Sequence, residues 1–225
     1  MDIADPPTRR IPIDPQDLKP SPDAVARYFG GPGYSLTPKV QKKVAAGIDR
    51  ALSLVNPLAG YRVISAESNG ESADIPFDVA EFSVRYFAVY LATLGGGLEA
   101  ACRELSDRSQ MFQAMLLDAV GTAMLDILGS EIEKALDLQA RRMELFTGCR
   151  MGPGLNDMAL ENQTWLFNLL EAEALGVHLH ESFVMSPSKS ISAIVMFSDS
   201  EQQEISGDKC SHCKMKRCQF RVRPN

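Results

Sequence analysis

The sequence predicts an α+β fold, with a central, mostly antiparallel, twisted sheet flanked by long helices. Segments with the composition of strands are expected near residues 61–65, 82–94, 177–185 and 190–197, because they are rich in β-branched, aromatic or alternating apolar residues. Helical segments of very unequal length separate them. A doubly wound parallel sheet requires strands and helices that alternate regularly, and this chain does not alternate in that way.

Three segments are predicted along the chain. Residues 1–36 contain seven of the thirteen prolines and are expected to form a proline-rich arm with a short helix from Pro22 to Tyr28. Residues 37–207 are expected to form the folded core. Residues 208–225 form a C-terminal segment with three cysteines, and from residue 209 onwards it carries six Lys or Arg residues and no acid.

Charge and composition narrow the classes of function. The formal net charge of −6 argues against general nucleic-acid binding. No uninterrupted apolar run reaches the roughly 18 residues of a membrane helix, and the first fifteen residues lack the apolar core of a secretory signal. An odd count of five cysteines does not predict a disulfide framework. We therefore expect a cytoplasmic protein with no membrane and no nucleic-acid partner.

The elements of the first half follow from local signals. Thr37 is a suitable N-cap and Pro38 a suitable first residue for an amphipathic helix that ends before Pro57. The next strands are expected at residues 61–65 and 82–94, as stated above. The triple glycine at residues 95–97 then turns the chain into a helix that reaches Leu105, without the glycine spacing of a nucleotide-binding loop.

The longest helix is predicted from Ser109 to Arg142. It is apolar on most sides, so it should run through the core. Its polar residues nevertheless fall within about one quarter of the circumference at 100° per residue. Two interpretations stay open: a solvent-facing stripe, or the wall of a ligand crevice, since buried carboxylates need partners. The residues of this stripe are Asp118, Thr122, Asp126 and Glu133.

The second half begins with a glycine-rich turn. Arg150-Met-Gly-Pro-Gly154 places a cation beside backbone without side-chain bulk, which suits close approach by a carboxylate. A helix is then expected over residues 158–175, stopped by Gly176. An extended segment over 177–185 and a strand over 190–197 complete the prediction.

Three motifs in this order resemble the reactivation domain of cobalamin-dependent methionine synthase. The first is the helix motif that runs from Leu117 through Gly121 to Asp126, the second is the Arg150–Gly154 turn, and the third is Glu-Ser-Phe-x-Met-x-Pro over residues 181–187. The resemblance covers roughly residues 85–200. It implies the α+β fold of that domain and a role in reductive methylation of a corrinoid from S-adenosylmethionine, in methionine synthase or a related methyltransferase.

The resemblance also implies a ligand site. Arg150 would hold the carboxylate of S-adenosylmethionine, with backbone groups of Gly152 and Gly154 nearby, and Asp126 stands where the family has a glutamate that contacts the ligand. The family tyrosine after Pro-Gly is Leu155 here. Cobalamin would be carried by a separate corrinoid protein, and a flavodoxin or another electron donor would reduce it. Because the chemistry belongs to the cofactor, the resemblance leaves open whether this chain is itself an enzyme.

Two other classes of function stay open. The chain can be a non-catalytic interaction module that binds a corrinoid protein or a flavodoxin-like donor without S-adenosylmethionine. It can also be a small metal or iron–sulfur redox protein, because Cys210, Cys213 and Cys218 have spacings that suit a zinc site or a cluster. Redox thiols and free cysteines are the alternatives for these three residues.

Overall fold

The computed structural model describes residues 7–66, 84–154 and 158–199, without the side chain of Cys149. Five strands form one sheet in the order β1-β2-β3-β7-β4, and every neighbouring pair is antiparallel. Two further strands, β5 and β6, pair only with each other. The predicted α+β class with a mostly antiparallel sheet is confirmed. The strands are β1 (Arg9–Arg10), β2 (Leu58–Ser65), β3 (Val84–Thr93), β4 (Phe146–Met151), β5 (His178–Leu179), β6 (Met185–Ser186) and β7 (Ser190–Ser198).

Helices cover both faces of the sheet. Of the five helices in the described residues, four lie on one face, where the long central helix packs against the other three, and the fifth lies on the opposite face. Short 3-10 turns at Pro15–Leu18, Leu160–Asn162 and Ala172–Leu175 connect these elements. The helices are α1 (Pro22–Gly30), α2 (Pro38–Leu54), α3 (Gly97–Asp107), α4 (Met111–Arg142) and α5 (Gln163–Leu170).

The described part of the proline-rich segment lies against the body of the protein. β1 pairs with β2, and the side chains of Leu18 and Val25 are fully buried in the main core. The following helix, α2, starts as predicted, since the Thr37 hydroxyl accepts a hydrogen bond from the Val40 N–H at 3.4 Å. Residues 7–36 therefore contribute to the fold on which any site on α4 depends.

The central strand β3 separates two apolar cores. Ala88, Tyr90 and Ala92 point into the core formed with α1 to α4. Phe87 and Leu91 point into the core formed with α5. All five residues are fully buried, so β3 is covered on both faces, which explains why its sequence shows no alternation of polar and apolar residues.

Three local predictions were wrong. The helix expected over 158–175 is divided, because Glu171 adopts a left-handed conformation with φ of 50° between α5 and the Ala172–Leu175 turn. The extended segment expected over 177–185 contains only the short β5–β6 pair. Arg150 does not lie in a turn but on β4, which the sequence did not predict because a glycine and an arginine interrupt its apolar pattern.

One helix of the described residues, α4, is long and apolar enough by length and composition to span a membrane. Half of the apolar stretch that meets this test is buried inside the protein. Contacts with α1, α2, α3 and the sheet account for that burial. Within this fold, α4 is the core helix of a globular domain.

Candidate functional site

The candidate site is built on one face of α4, which we call the polar stripe: Asp118, Thr122, Asp126 and Glu133. For these residues the sequence left two interpretations open, a solvent-facing stripe or the wall of a ligand crevice. In the structure, side chains from three other segments contact the stripe: Lys189, Tyr28 and Arg150. The stripe is therefore where α1, β4 and the start of β7 meet the core helix.

Lys189 closes the N-terminal end of the polar stripe. Its Nζ lies 2.7 Å from Asp118 Oδ1 and donates to Thr122 Oγ1 at 2.8 Å. Only 14% of the Lys189 side chain is exposed, and its aliphatic part packs over Gly121, where an added Cβ would lie 3.2 Å from Cε. The lysine thus holds the segment before β7 against α4.

Arg150 closes the C-terminal end. Its Nη1 donates to Glu133 Oε1 at 2.7 Å, and 23% of the arginine side chain is exposed. This approach depends on Gly129, because a Cβ at that position would lie 3.2 Å from the same nitrogen. The nearest acid to Arg150 is thus Glu133, two turns of helix after Asp126.

A buried tyrosine lies beside this pair. Burial raises the pKa of Tyr90 to about 12, although the Arg150 charge acts in the opposite direction. The Tyr90 hydroxyl makes no hydrogen bond of good geometry, so its interaction with the guanidinium is mainly electrostatic. Burial alone would lower the pKa of Arg150, but Tyr90 and Glu133 more than offset this and raise it. The arginine is charged, and the phenol is neutral, at any physiological pH.

Asp126 is held from a different side. The hydroxyl of Tyr28 on α1 donates to Asp126 Oδ2, and Ser130 donates to the Asp126 carbonyl at 3.0 Å. Asp126 lies three residues before Gly129, which is about 5 Å along the helix axis. Asp126 therefore lies within about one helical turn of the place where Arg150 approaches α4. Each of the two residues contacts its own partner.

The two predicted glycines lie just after Arg150. Gly152 is buried, and a Cβ there would lie 3.2 Å from the Ser192 carbonyl oxygen of β7. Gly154 has a φ of 78°, which favours glycine, and its N–H donates to the Met158 carbonyl at 2.9 Å. Both glycines allow the chain to turn sharply after β4. They also leave the backbone next to Arg150 without side-chain bulk.

A broad surface groove of about 580 Å³ runs beside the C-terminal half of the polar stripe. Glu133 forms part of its wall, so the Arg150–Glu133 pair can be reached from outside. The other residues that line the groove are Ser130, Lys134, Asp137 and Leu138.

Residues 77–219 match the family model described as vitamin B12 dependent methionine synthase, activation domain. The chain belongs to this family. Among solved structures, the chain resembles a crystal structure of the MetH reactivation domain bound to AdoHcy, with a TM-score of 0.62 and 13% sequence identity. The likeness covers 87% of this chain and 79% of that one, and it shows a shared fold. A comparison with curated proteins finds no match.

The three candidate metal ligands of this activation domain, Cys210, Cys213 and Cys218, lie outside the described residues. Their role as a zinc or iron–sulfur site stays a prediction. Within residues 7–66, 84–154 and 158–199, no group of three or more His, Cys, Asp or Glu residues is placed to hold a metal ion.

Sequence reasoning missed most partners of the polar stripe. Tyr28 lies 98 residues before Asp126, and no local pattern signals a contact over that distance. Lys189 lies between Ser188 and Ser190 in the sequence, and these two neighbours gave no sign of its burial. Tyr90 gave one usable signal, since a tyrosine within a fully apolar strand needs a polar neighbour for its hydroxyl.

Proposed function

We propose that this activation domain supports the reductive methylation of a corrinoid carried by a separate protein. S-adenosylmethionine would bind where β4 meets the polar stripe of α4. The family match carries the first part of the proposal, since the model describes the activation domain of vitamin B12 dependent methionine synthase. AdoHcy in a structure with the same fold supports the second part.

The charges beside β4 fit the amino-acid end of such a ligand. Arg150 suits a carboxylate, and the acids Glu133 and Asp126 on the same helix face suit an ammonium group. The buried Tyr90 hydroxyl is the observation that most supports a ligand site. A buried donor without an acceptor is rare and costs stability. A carboxylate beside Arg150 would supply the missing acceptor.

Binding at this site requires an exchange of partners. Arg150 already pairs with Glu133, so an incoming carboxylate replaces Glu133 on the guanidinium. The released Glu133 carboxylate is then available to the ligand amine. The groove beside Glu133 gives the side chain room to move. When bound, the corrinoid supplies the redox and methyl-transfer chemistry, and the residues of this chain position and shield the methyl donor.

Calorimetric titration of the full chain with S-adenosylmethionine tests the site. Arg150→Met should weaken binding about 10- to 100-fold, because a charge-assisted hydrogen bond contributes about 1.5–3 kcal/mol. Arg141→Met is the matched control, since Arg141 pairs at 2.7 Å with Asp137, an acid of α4 outside the polar stripe. It should bind like the wild type. Absence of binding to a folded wild-type chain, at millimolar ligand, would reject the ligand site.

A second candidate function is a non-catalytic interaction module for the corrinoid protein or for a flavodoxin-like donor. The Arg150–Glu133 pair favours it, because the arginine has an internal carboxylate. Titration with and without a cob(II)alamin-loaded partner distinguishes the two functions. A shared site predicts tighter S-adenosylmethionine binding when the partner is present, since coupled binding is reciprocal. Binding of the partner by a chain that never binds S-adenosylmethionine would establish the interaction module.

A further inference from the structure

A second cavity of about 190 Å³ lies where the start of β1 meets the edge of β2 and the C-terminal turns of α4. It is separate from the polar stripe, because its α4 residue Gln139 lies about 120° around the helix from Glu133. Arg9 and Val63, which also line it, precede residue 77, where the family match begins. We propose that this cavity binds a small carboxylic acid whose apolar body is about the size of a benzene ring. The proposal does not depend on the S-adenosylmethionine site.

The edge of β2 presents a backbone donor to this cavity. The Ile11 N–H donates to the Ala59 carbonyl of β2 at 3.1 Å, and hydrogen bonds between two antiparallel strands recur at every second residue. By this alternation Val63 directs its N–H and its carbonyl towards the β1 side. The register of β1 with β2, continued by two residues, places Pro7 opposite Val63. Because proline has no N–H, the pairing ends there, and the Val63 N–H faces the cavity as a hydrogen-bond donor.

Arg9 gives the cavity its positive charge. Its partner in the β1–β2 pair is Tyr61, which packs in the core on the α4 side, so the Arg9 side chain lies on that side of the sheet. Arg62 lines the cavity with its backbone, since its side chain reaches the α5 side and donates to the Leu169 carbonyl at 2.7 Å. No Asp or Glu is among the described residues that line the cavity. An arginine without a neighbouring acid suits a carboxylate, which it can bind through two parallel hydrogen bonds.

The remaining walls are apolar and limit the size of the ligand. They are formed by Val63 and Tyr86 of the sheet and by Met143 of α4, all partly buried against the main core. An apolar cavity of about 150 Å³ is enough for benzene, so about 190 Å³ accommodates a ring with a carboxylate. The Gln139 side chain adds an amide group on the α4 side of the cavity. A ring-sized acid would thus place its charge beside Arg9 and its ring against the apolar walls.

The probes are benzoate and benzamide, which have the same shape and differ in charge. Two-dimensional NMR of the full chain measures both affinities and reports whether the Val63 amide signal shifts. Benzoate should bind with a Kd of about 1–10 mM and shift that signal. Benzamide should bind about 10-fold more weakly, because a charge-assisted hydrogen bond is about twice as strong as a neutral one.

Two variants test the role of Arg9. Arg9→Met should weaken benzoate binding about 10-fold, and it should fold, because Arg9 is exposed. Arg10→Met is the matched control, since Arg10 follows on the same strand but donates to the Ala174 carbonyl at 2.6 Å on the α5 side. It should bind benzoate like the wild type.

Equal affinity for benzoate and benzamide would overturn the inference, and this comparison uses the wild-type chain, so it decides even if a variant does not fold. An equal loss in Arg9→Met and Arg10→Met would overturn it too, because only net charge would then matter. The same holds if benzoate leaves the Val63 amide signal unchanged. Inorganic phosphate that binds as tightly as benzoate would count against a ring-sized acid. None of these results bears on the proposed function, since Arg150 and the polar stripe are the same in both variants.

Discussion

The two faces of the sheet are built from different interactions, although the same strands form both. On the α4 face, charged side chains from separate segments meet one helix: Lys189 with Asp118 and Arg150 with Glu133. On the α5 face, two of the contacts between elements in the described residues end on uncharged groups. Ser192 donates to the Gln163 side chain at 3.0 Å, and Arg62 donates to the Leu169 carbonyl at 2.7 Å.

Both faces bury large aliphatic and aromatic side chains, which stabilise the fold through apolar burial. The α4 face differs because its helix also carries partly exposed acids, which pair with Lys189 and Arg150. Charged groups in such a place contribute little net stability for their cost in desolvation. These charged groups are the ones that the proposed ligand site uses.

The largest expected effect concerns the α5 face. Leu166 is fully buried there, so Leu166→Ala should lower the free energy of unfolding by about 2–5 kcal/mol. Its affinity for S-adenosylmethionine should stay within about twofold of wild type at a temperature where both are folded, since the residue lies across the sheet from the site. Denaturant unfolding and calorimetry give the two values. A loss of affinity without a loss of stability would show that the division between the faces is wrong.

The next effect is a pH dependence from the α4 face. An unfolded tyrosine ionises near pH 10, whereas burial keeps Tyr90 protonated until about pH 12. Between these values the unfolded chain releases a proton that the folded chain retains. The free energy of unfolding should therefore fall as pH rises from about 10, by about 2–3 kcal/mol in total.

Tyr90→Phe should remove this contribution, because phenylalanine has no ionisable group. The measurement is urea unfolding of both proteins from pH 8 to pH 12. The difference in stability between them should be constant below about pH 10 and should then grow in favour of Tyr90→Phe. A constant difference over the whole range would mean that the Tyr90 hydroxyl is not buried in the folded chain.

The smallest expected effect is on stability, and it concerns two lysines that pair with acids of α4. Lys189→Met should cost about 1 kcal/mol of stability, because its ammonium group contacts two side chains of the polar stripe in a largely buried position. Lys134→Met is the control: 70% of the Lys134 side chain is exposed, and its pair with Glu131 should contribute less than about 0.5 kcal/mol. Thermal unfolding of the two variants checks the order. Equal losses would place Lys189 among ordinary surface lysines.

Local signals in the sequence were sufficient to predict the helices α2 and α4. The start of α2 follows from Thr37 and Pro38, and the extent of α4 follows from its apolar pattern. The division of the predicted helix at Glu171 could not be foreseen, because nothing in Glu-Ala-Glu-Ala-Leu interrupts a helix and tertiary packing decides. β4 was missed because Gly148 and Arg150 interrupt its apolar pattern, and only its pairing with β7 makes it a strand.

The site was predictable only where it lies within one element. The period of α4 placed its polar residues on one face, and that arrangement is the polar stripe. Arg150 pairs with Glu133 rather than with Asp126 because of where β4 lies in the fold. No local pattern in the sequence predicted that position. The contact between Tyr28 and Asp126 depends on how α1 packs, and long-range packing leaves no periodic trace in the sequence.

The partners of the polar stripe come from residues 28, 150 and 189, so the stripe is complete only when segments from most of the described chain are in place at once. A ligand bound at the proposed site would contact several of these segments at once. Local opening of α1, or of β4 at the edge of the sheet, would have to release the ligand first. Occupancy of the site should therefore slow proteolysis at places far from it, so that resistance to digestion becomes a measure of binding in a cell extract.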